Sequence, residues 1–97
     1  MQGIWLPRAE ANLLRIVEFI AEDNVDAAIA LAKLIRVRVE QLSEPPTLFR
    51  KGRVRGTREM VVHPNYLVMY RVRERAKLVE ILRVLHVARQ WPPSPRA

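Results

Sequence analysis

The residues best suited to chemistry lie near the end of the chain, where arginines flank one of its two histidines. His86 ends an apolar run and has Arg83 and Arg89 close to it in the sequence, with Trp91 just beyond. An imidazole that titrates near neutrality can serve as a general acid or base. No neighbouring carboxylate would orient this ring, however, and cationic neighbours disfavour its charged form. The sequence therefore favours a structural, hydrogen-bonding histidine over a catalytic base.

The second histidine, His63, precedes Pro64 and is interpreted as a turn residue that bonds locally. A metal site shared by His63 and His86 would lack acidic ligands at a suitable spacing. The chain also contains no cysteine, which excludes disulfides and thiolate zinc sites. We predict no metal site and no cofactor.

Arg83 lies in a predicted strand, where it shares a face with three apolar residues, Val79, Ile81 and Leu85. A guanidinium on such a face needs a partner or an opening to solvent. We expect Arg83 to pair with Glu59 or another carboxylate, or to line a groove for a ligand. We favour the pairing with a carboxylate over the groove for a ligand.

The chain is basic, with 17 Lys and Arg residues against 10 acidic ones and a formal charge of +7. Five of the cations cluster in one segment, at Arg50, Lys51, Arg53, Arg55 and Arg58. This cluster predicts either a solvated loop or a surface for an anionic partner, which could be an acidic protein segment or nucleic acid. No aromatic residues alternate with the cations, so a single-strand binder is less favoured.

Three strand signals in the last third of the chain position these groups: Arg58–His63, Tyr66–Val72 and Leu78–Leu85. Pro64-Asn65 supplies a tight turn, and the polar stretch Arg73–Lys77 supplies the second connection, so the three form an antiparallel meander. The apolar segment Gly3–Leu6 predicts a short strand that joins the sheet.

Two amphipathic helices precede the meander. The first has its apolar stripe at Ala9, Leu13, Ile16, Val17 and Ile20. Asp23-Asn24 predicts a break followed by an N-cap, with the second helix beginning near Val25 or Asp26. Its stripe is Ala28, Leu31, Ala32, Ile35, Val39 and Leu42, and Pro45-Pro46 ends it. The short connection predicts an antiparallel helical hairpin.

The predicted fold class is α+β: an N-terminal helical hairpin packed on a small antiparallel sheet, made of the C-terminal meander and the short N-terminal strand. The helical stripes should pack on Val61, Val68, Tyr70, Ile81 and Val84. Residues 1–92 are predicted to form one domain, and residues 93–97 an extended or disordered tail. Without a signal peptide or an apolar run of membrane-spanning length, we expect a soluble, cytoplasmic protein.

Two motifs give the chain a family resemblance. The segment GTREMVVHPNYLVMYRV followed by VEILRVLHVARQWP, with the order of elements, the length and the charge, resembles the RelE/ParE superfamily of toxins from bacterial type II toxin–antitoxin systems. Tyr66 and Tyr70 match its aromatic-flanked central strand. His86, Arg89 and Trp91 match the terminal motif of many ParE-type members.

The resemblance implies two alternatives for the activity. RelE-type members are ribosome-dependent messenger ribonucleases, whereas ParE-type members are associated with inhibition of DNA gyrase. RelE-like nucleases carry an arginine just after the first aromatic residue of the central strand, where this chain has Leu67, and a C-terminal tyrosine, where it offers Trp91. Both departures favour the ParE branch and predict no catalytic residue in this chain.

We therefore expect a toxin that binds a protein target, DNA gyrase, through Arg83, His86, Arg89 and Trp91. A cognate antitoxin with an acidic, partly disordered segment should fold onto it in a hetero-oligomeric complex. That segment is expected to meet Arg50, Arg53, Arg58 and Arg71. We expect no binding to membranes and no sequence-specific DNA binding by this chain alone. The alternatives are a RelE-like endoribonuclease using some of Arg58, Arg83, His86 and Arg89, and an inactive or purely binding module.

Overall fold

The computed structural model describes residues 2–43 and 49–88. The N-terminal half comprises β1 (Gln2–Trp5), α1 (Pro7–Ala21), α2 (Val25–Glu40) and a 3-10 turn (Gln41–Ser43). The rest of the sheet comprises β2 (Arg50–Lys51), β3 (Arg58–His63), β4 (Tyr66–Arg73) and β5 (Leu78–His86). The predicted tail, residues 93–97, lies outside the described residues. Neither helix in these ranges is long and apolar enough to cross a membrane.

The two helices begin where their sequence signals predict. Pro7 occupies the first turn of α1, a position where its missing amide hydrogen has no cost. Asn24 caps α2, and its side-chain oxygen accepts a hydrogen bond from the Ala27 amide at 2.9 Å. The helices also contact each other, since Arg36 of α2 bonds Glu10 of α1, and the predicted helical hairpin is confirmed.

The five strands form one sheet in the order β1-β5-β4-β3-β2. The β3–β4 and β4–β5 pairs are antiparallel, which confirms the predicted meander. β1 joins the sheet as predicted, but it pairs parallel to β5, so the sheet is mixed rather than purely antiparallel. The chain crosses through both helices before it returns to the sheet, and this long crossover permits parallel pairing. The two-residue strand β2, paired with β3, was not predicted.

The main core lies between the helices and one face of the sheet. The helical residues Leu13, Leu31, Ile35 and Val39 are buried there, together with Val68, Tyr70, Ile81 and Val84 of the sheet. The prediction that Val61 belongs to this core is wrong, because Val61 is 44% exposed while Met60 and Val62 are buried. The run Met60-Val61-Val62 is apolar on both faces, so side-chain alternation alone could not orient it.

The opposite face of the sheet carries a second, smaller apolar cluster of Leu67, Met69 and Leu85. It is partly covered by Val54, Leu82 and Val87. Leu67 is completely buried in this cluster. The sheet is therefore apolar on both faces, although the helices cover only one.

Strand β5 changes its side-chain alternation midway. Its register with β4 shifts between the pairs Met69–Arg83 and Tyr70–Ile81, which leaves Leu82 as an extra residue. As a result Ile81 belongs to the main core and Leu85 to the second cluster. The prediction that Arg83 shares one face with Val79, Ile81 and Leu85 is wrong for this reason.

Candidate functional site

Three ring side chains lie side by side where β3, β4 and β5 meet at one end of the sheet. The register places His63 opposite Tyr66, and Tyr66 opposite His86. The Tyr66 ring centroid lies 5.8 Å from that of His63 and 5.3 Å from that of His86. Sequence reasoning selected His86 and considered His63 beside it only as a metal ligand; it did not place Tyr66 between them. The turn at Pro64-Asn65 brings His63 and Tyr66 together, and the β4–β5 pairing adds His86.

Both imidazoles are fixed by backbone amides. The Nδ1 atom of His63 accepts a hydrogen bond from the Asn65 amide at 3.0 Å, and Nδ1 of His86 accepts one from the Ala88 amide at 3.1 Å. In a neutral ring whose Nδ1 is an acceptor, the proton resides on Nε2. Each neutral ring therefore presents an N–H donor at Nε2, rather than the free nitrogen lone pair that a general base needs.

Arg83 is held by a side chain of helix α1. Its Nε donates to Asn12 Oδ1 at 2.9 Å, and the same oxygen accepts from the Val84 amide at 3.2 Å. Glu59, the partner proposed from the sequence, instead accepts from Arg50 and Arg53. Sequence reasoning missed Asn12; the available signal was a polar residue on the edge of the apolar stripe of α1.

Glu59 organises two of the arginines predicted to bind an antitoxin. Its side chain is only 2% exposed and accepts a hydrogen bond from Arg50 Nη2 at 3.1 Å. It also accepts from the Arg53 backbone amide at 2.9 Å, and its Oε2 lies 3.4 Å from Arg53 Nε. Because a buried carboxylate is costly without such donors, this network fixes the backbone that leads into β3.

The other two predicted antitoxin-binding arginines also have partners within the chain. Arg71 donates through Nε and Nη2 to one oxygen of Glu80, at 3.1 and 2.9 Å. Arg58 donates from Nη1 to the Phe49 carbonyl at 2.9 Å. Arg50, Arg53 and Arg71 nevertheless keep between 38% and 59% of their side chains exposed.

A shallow, largely apolar groove lies between the two helices. It has a volume of about 360 Å³, and Leu14, Val17 and Ala32 contribute to its walls. Leu14 is 59% exposed. Other large apolar side chains of the helices are exposed as well, including Phe19 at 69% and Ile29 at 48%. A surface of this kind is typical of a site that binds an apolar segment of another protein.

An ion pair joins the two helices at this groove. Arg36 donates from both terminal nitrogens to the two carboxylate oxygens of Glu10, each at 2.9 Å, and its guanidinium lies 4.3 Å from the centre of the Trp5 ring. The hydrogen bond from Arg36 lowers the pKa of Glu10, and the same bond raises the pKa of Arg36. No local sequence signal indicates this pairing, because Glu10 and Arg36 are 26 residues apart along the chain.

Of the four residues predicted to bind the target, the structure places Arg83 and His86 on β5. Arg89 and Trp91 lie outside the described residues. No group of three or more His, Cys, Asp or Glu side chains within residues 2–43 and 49–88 is arranged to hold a metal ion.

A helical hairpin on a five-stranded sheet is consistent with the fold of a ParE-like toxin. The family model for the ParE toxin of the type II toxin–antitoxin system parDE matches residues 4–91. The chain belongs to this ParE toxin family.

Two relatives support membership of the RelE/ParE superfamily, and one solved structure shares the fold. The chain is 38% identical to Y4kP of Sinorhizobium fredii over 89 residues, which cover 91% of this chain and 90% of that protein. It is 34% identical over 90 residues to Toxin RelE2 of Caulobacter vibrioides, covering 91% and 97% of the two chains. A chain from the chromosomal ParDE toxin–antitoxin system of P. aeruginosa has the same fold. The TM-score is 0.78, at 23% identity, covering 90% of this chain and 96% of that one.

Proposed function

We propose that this ParE-family toxin inhibits growth by binding a protein target, DNA gyrase, and that a cognate antitoxin neutralises it. The observation that carries the proposal is the complete burial of Leu67 between Met69 and Leu85. RelE-like nucleases have an arginine at this position, directed at the scissile phosphate. A buried leucine neither reaches a phosphate nor stabilises charge, and removing one preorganised donor typically costs about 10²–10³ in rate.

The histidines support the same conclusion. Cleavage through a 2′-OH group requires a base that accepts the hydroxyl proton. The Nδ1 atoms of His63 and His86 already accept backbone hydrogen bonds, which leaves each neutral ring as a donor at Nε2. Such rings are suited to hydrogen bonding with a protein surface.

The proposed gyrase contact comprises Arg83, His86, Arg89 and Trp91. Arginine and tryptophan are among the residue types that most often dominate binding energies at protein interfaces. We add His63 and Tyr66 to this surface, because their rings extend the row that ends at His86. A His86→Ala variant that loses gyrase inhibition while keeping its thermal midpoint would support this assignment, whereas unchanged inhibition in both His86→Ala and Tyr66→Ala would contradict it.

We expect the antitoxin to bind two surfaces of this chain. Its apolar anchors would enter the groove beside Leu14 and Val17, and its carboxylates would meet Arg50, Arg53, Arg58 and Arg71. Each guanidinium has five N–H donors, so the arginines that already bond Glu59 and Glu80 retain donors for a second carboxylate. Steering between exposed charges is screened by salt, so the association rate should fall as salt rises. A rate that does not depend on salt would contradict the electrostatic part of the proposal.

A ribosome-dependent ribonuclease is the second candidate, and the row formed by two imidazoles and the phenol of Tyr66 is the observation that favours it. Expression in cells separates the two functions. With the antitoxin absent, gyrase inhibition predicts induction of the DNA-damage response before any fall in protein synthesis. A ribonuclease would stop translation first, without DNA damage.

A further inference from the structure

The end of the sheet opposite the three rings is formed by two loops that are both rich in cations. One loop, residues 52–57, connects β2 to β3, and the other, residues 74–77, connects β4 to β5. Both line one cleft of about 450 Å³, to which Lys51, Arg55 and Arg58 contribute on one side and Val72 and Glu74 on the other. Strand β4 separates this end from Tyr66 by seven residue steps, or roughly 23 Å. We call it the basic loop end.

The first of these loops is held in a fixed conformation. The Thr57 amide and hydroxyl both donate to the Val54 carbonyl, at 3.1 and 2.6 Å, and the Gly52 amide donates to the Thr57 carbonyl at 2.8 Å. Gly56 has φ of +82°, which closes the turn in a conformation that favours glycine. A Cβ at Gly52 would collide with the Thr57 hydroxyl. The loop therefore presents its cations from a preorganised backbone, with little loss of conformational entropy on binding.

At the basic loop end, some cations already pair with a carboxylate of the chain and others do not. The nearby carboxylates of Glu59 and Glu80 engage arginines of the strands and their flanks. Four exposed cations remain whose side chains contact no carboxylate among the described residues: Lys51, Arg55, Arg75 and Lys77. Lys51 ends β2, Arg55 lies on the first loop, and Arg75 and Lys77 lie on the second. The only acidic side chain among the residues lining the cleft is Glu74.

Several exposed cations at one end of the sheet suit a partner that carries many phosphates. Double-stranded DNA carries one negative charge per about 1.7 Å of its axis, and cations that replace its counterions supply a binding free energy that does not depend on sequence. Single-stranded nucleic acid is bound with aromatic side chains on which the bases stack. Neither residues 49–58 nor residues 72–78 offer an exposed aromatic ring for this purpose.

We propose that the basic loop end binds the phosphate backbone of double-stranded DNA, without sequence preference. Lys51 at the end of β2 and Arg55 on the first loop contact phosphates, and Arg75 and Lys77 do so from the second loop. Glu74 opposes the contact by charge repulsion. The site is separate from the ring surface proposed for gyrase and does not depend on that target.

The test measures binding of the purified full chain to a fluorescently labelled duplex of random sequence, by anisotropy between 50 and 300 mM salt. In the double variant Lys51→Gln/Arg55→Gln, the slope of log K against log salt should fall by about 2, since each phosphate contact contributes about 0.9. At 0.1 M salt we expect an affinity loss of about tenfold or more. Glu74→Gln should bind more tightly than the unaltered chain.

The control is Arg8→Gln/Arg15→Gln, which removes the same charge from exposed positions on α1. This variant should change the slope by less than about 0.5. Equal losses in the two double variants would show attraction by net charge alone and would overturn the proposal. Tighter binding to a single strand of the same length would also overturn the proposal. So would a polyglutamate peptide that binds as tightly as the duplex and loses its affinity in Lys51→Gln/Arg55→Gln.

Discussion

Truncating Ile35 tests the packing of the helical hairpin on the sheet. Ile35 is completely buried in the main core. The change Ile35→Ala removes three carbons, worth about 2.4 kcal/mol at about 0.8 kcal/mol for each methylene. The cavity left behind raises the cost to about 3–4 kcal/mol, within the usual range for such sites. For a domain of this size, the thermal midpoint should fall by roughly 12–30 °C.

Ile29→Ala is the matched control, because it makes the same change on the same helix. Ile29 is 48% exposed, so its truncation loses about half the transfer free energy and leaves no closed cavity. We expect a cost of about 1 kcal/mol. Urea unfolding followed by circular dichroism measures both free energies of unfolding. Equal losses in the two variants, or an unchanged midpoint in Ile35→Ala, would refute the packing described.

Three further changes test the electrostatics and the loops. Glu59→Gln should lower the free energy of unfolding by about 1–3 kcal/mol, measured in urea, because two arginines lose a buried charged acceptor; an unchanged value would contradict the network. The pKa of Glu10 is lower in the folded state, so its contact with Arg36 stabilises the protein above the ordinary pKa of 4.5 and is lost as the pH falls below it. In Glu10→Gln, the free energy of unfolding should therefore fall less on acidification, by under about 1 kcal/mol because the pair is half exposed. A free energy of unfolding that falls more steeply with acid in the variant would contradict this. Gly56→Ala should cost about 1 kcal/mol because of its positive φ, while Gly3→Ala, which meets no atom within 4 Å, should cost nothing.

Local signals in the sequence predicted most of the fold. Asn24 marked the start of α2, and Pro64-Asn65 marked the turn between β3 and β4, because side-chain chemistry within a few residues decides such features. The 3.6-residue period correctly placed Leu31, Ile35 and Val39 in the core. Each of these predictions depended on interactions between residues that are close together in the sequence.

Features that depend on distant contacts were not predictable in the same way. Val61 was assigned to the wrong face, since three consecutive apolar residues satisfy either register. The bulge at Leu82 reversed the alternation on which the placement of Arg83 relied. Its partner Asn12 is 71 residues away, and no pattern in the sequence joins the two. The proposed target surface shares this property, because His63, Tyr66 and His86 meet only once the sheet has formed.

The most direct test of the central claim uses the purified toxin in two parallel assays, one of gyrase supercoiling and one of messenger cleavage on programmed ribosomes. With Leu67 buried and both histidine Nδ1 atoms occupied, we predict inhibition of supercoiling, relieved by the antitoxin, and no codon-specific cleavage. Codon-specific cleavage that disappears in His86→Ala, with supercoiling untouched, would contradict the account and assign the protein to the nuclease branch.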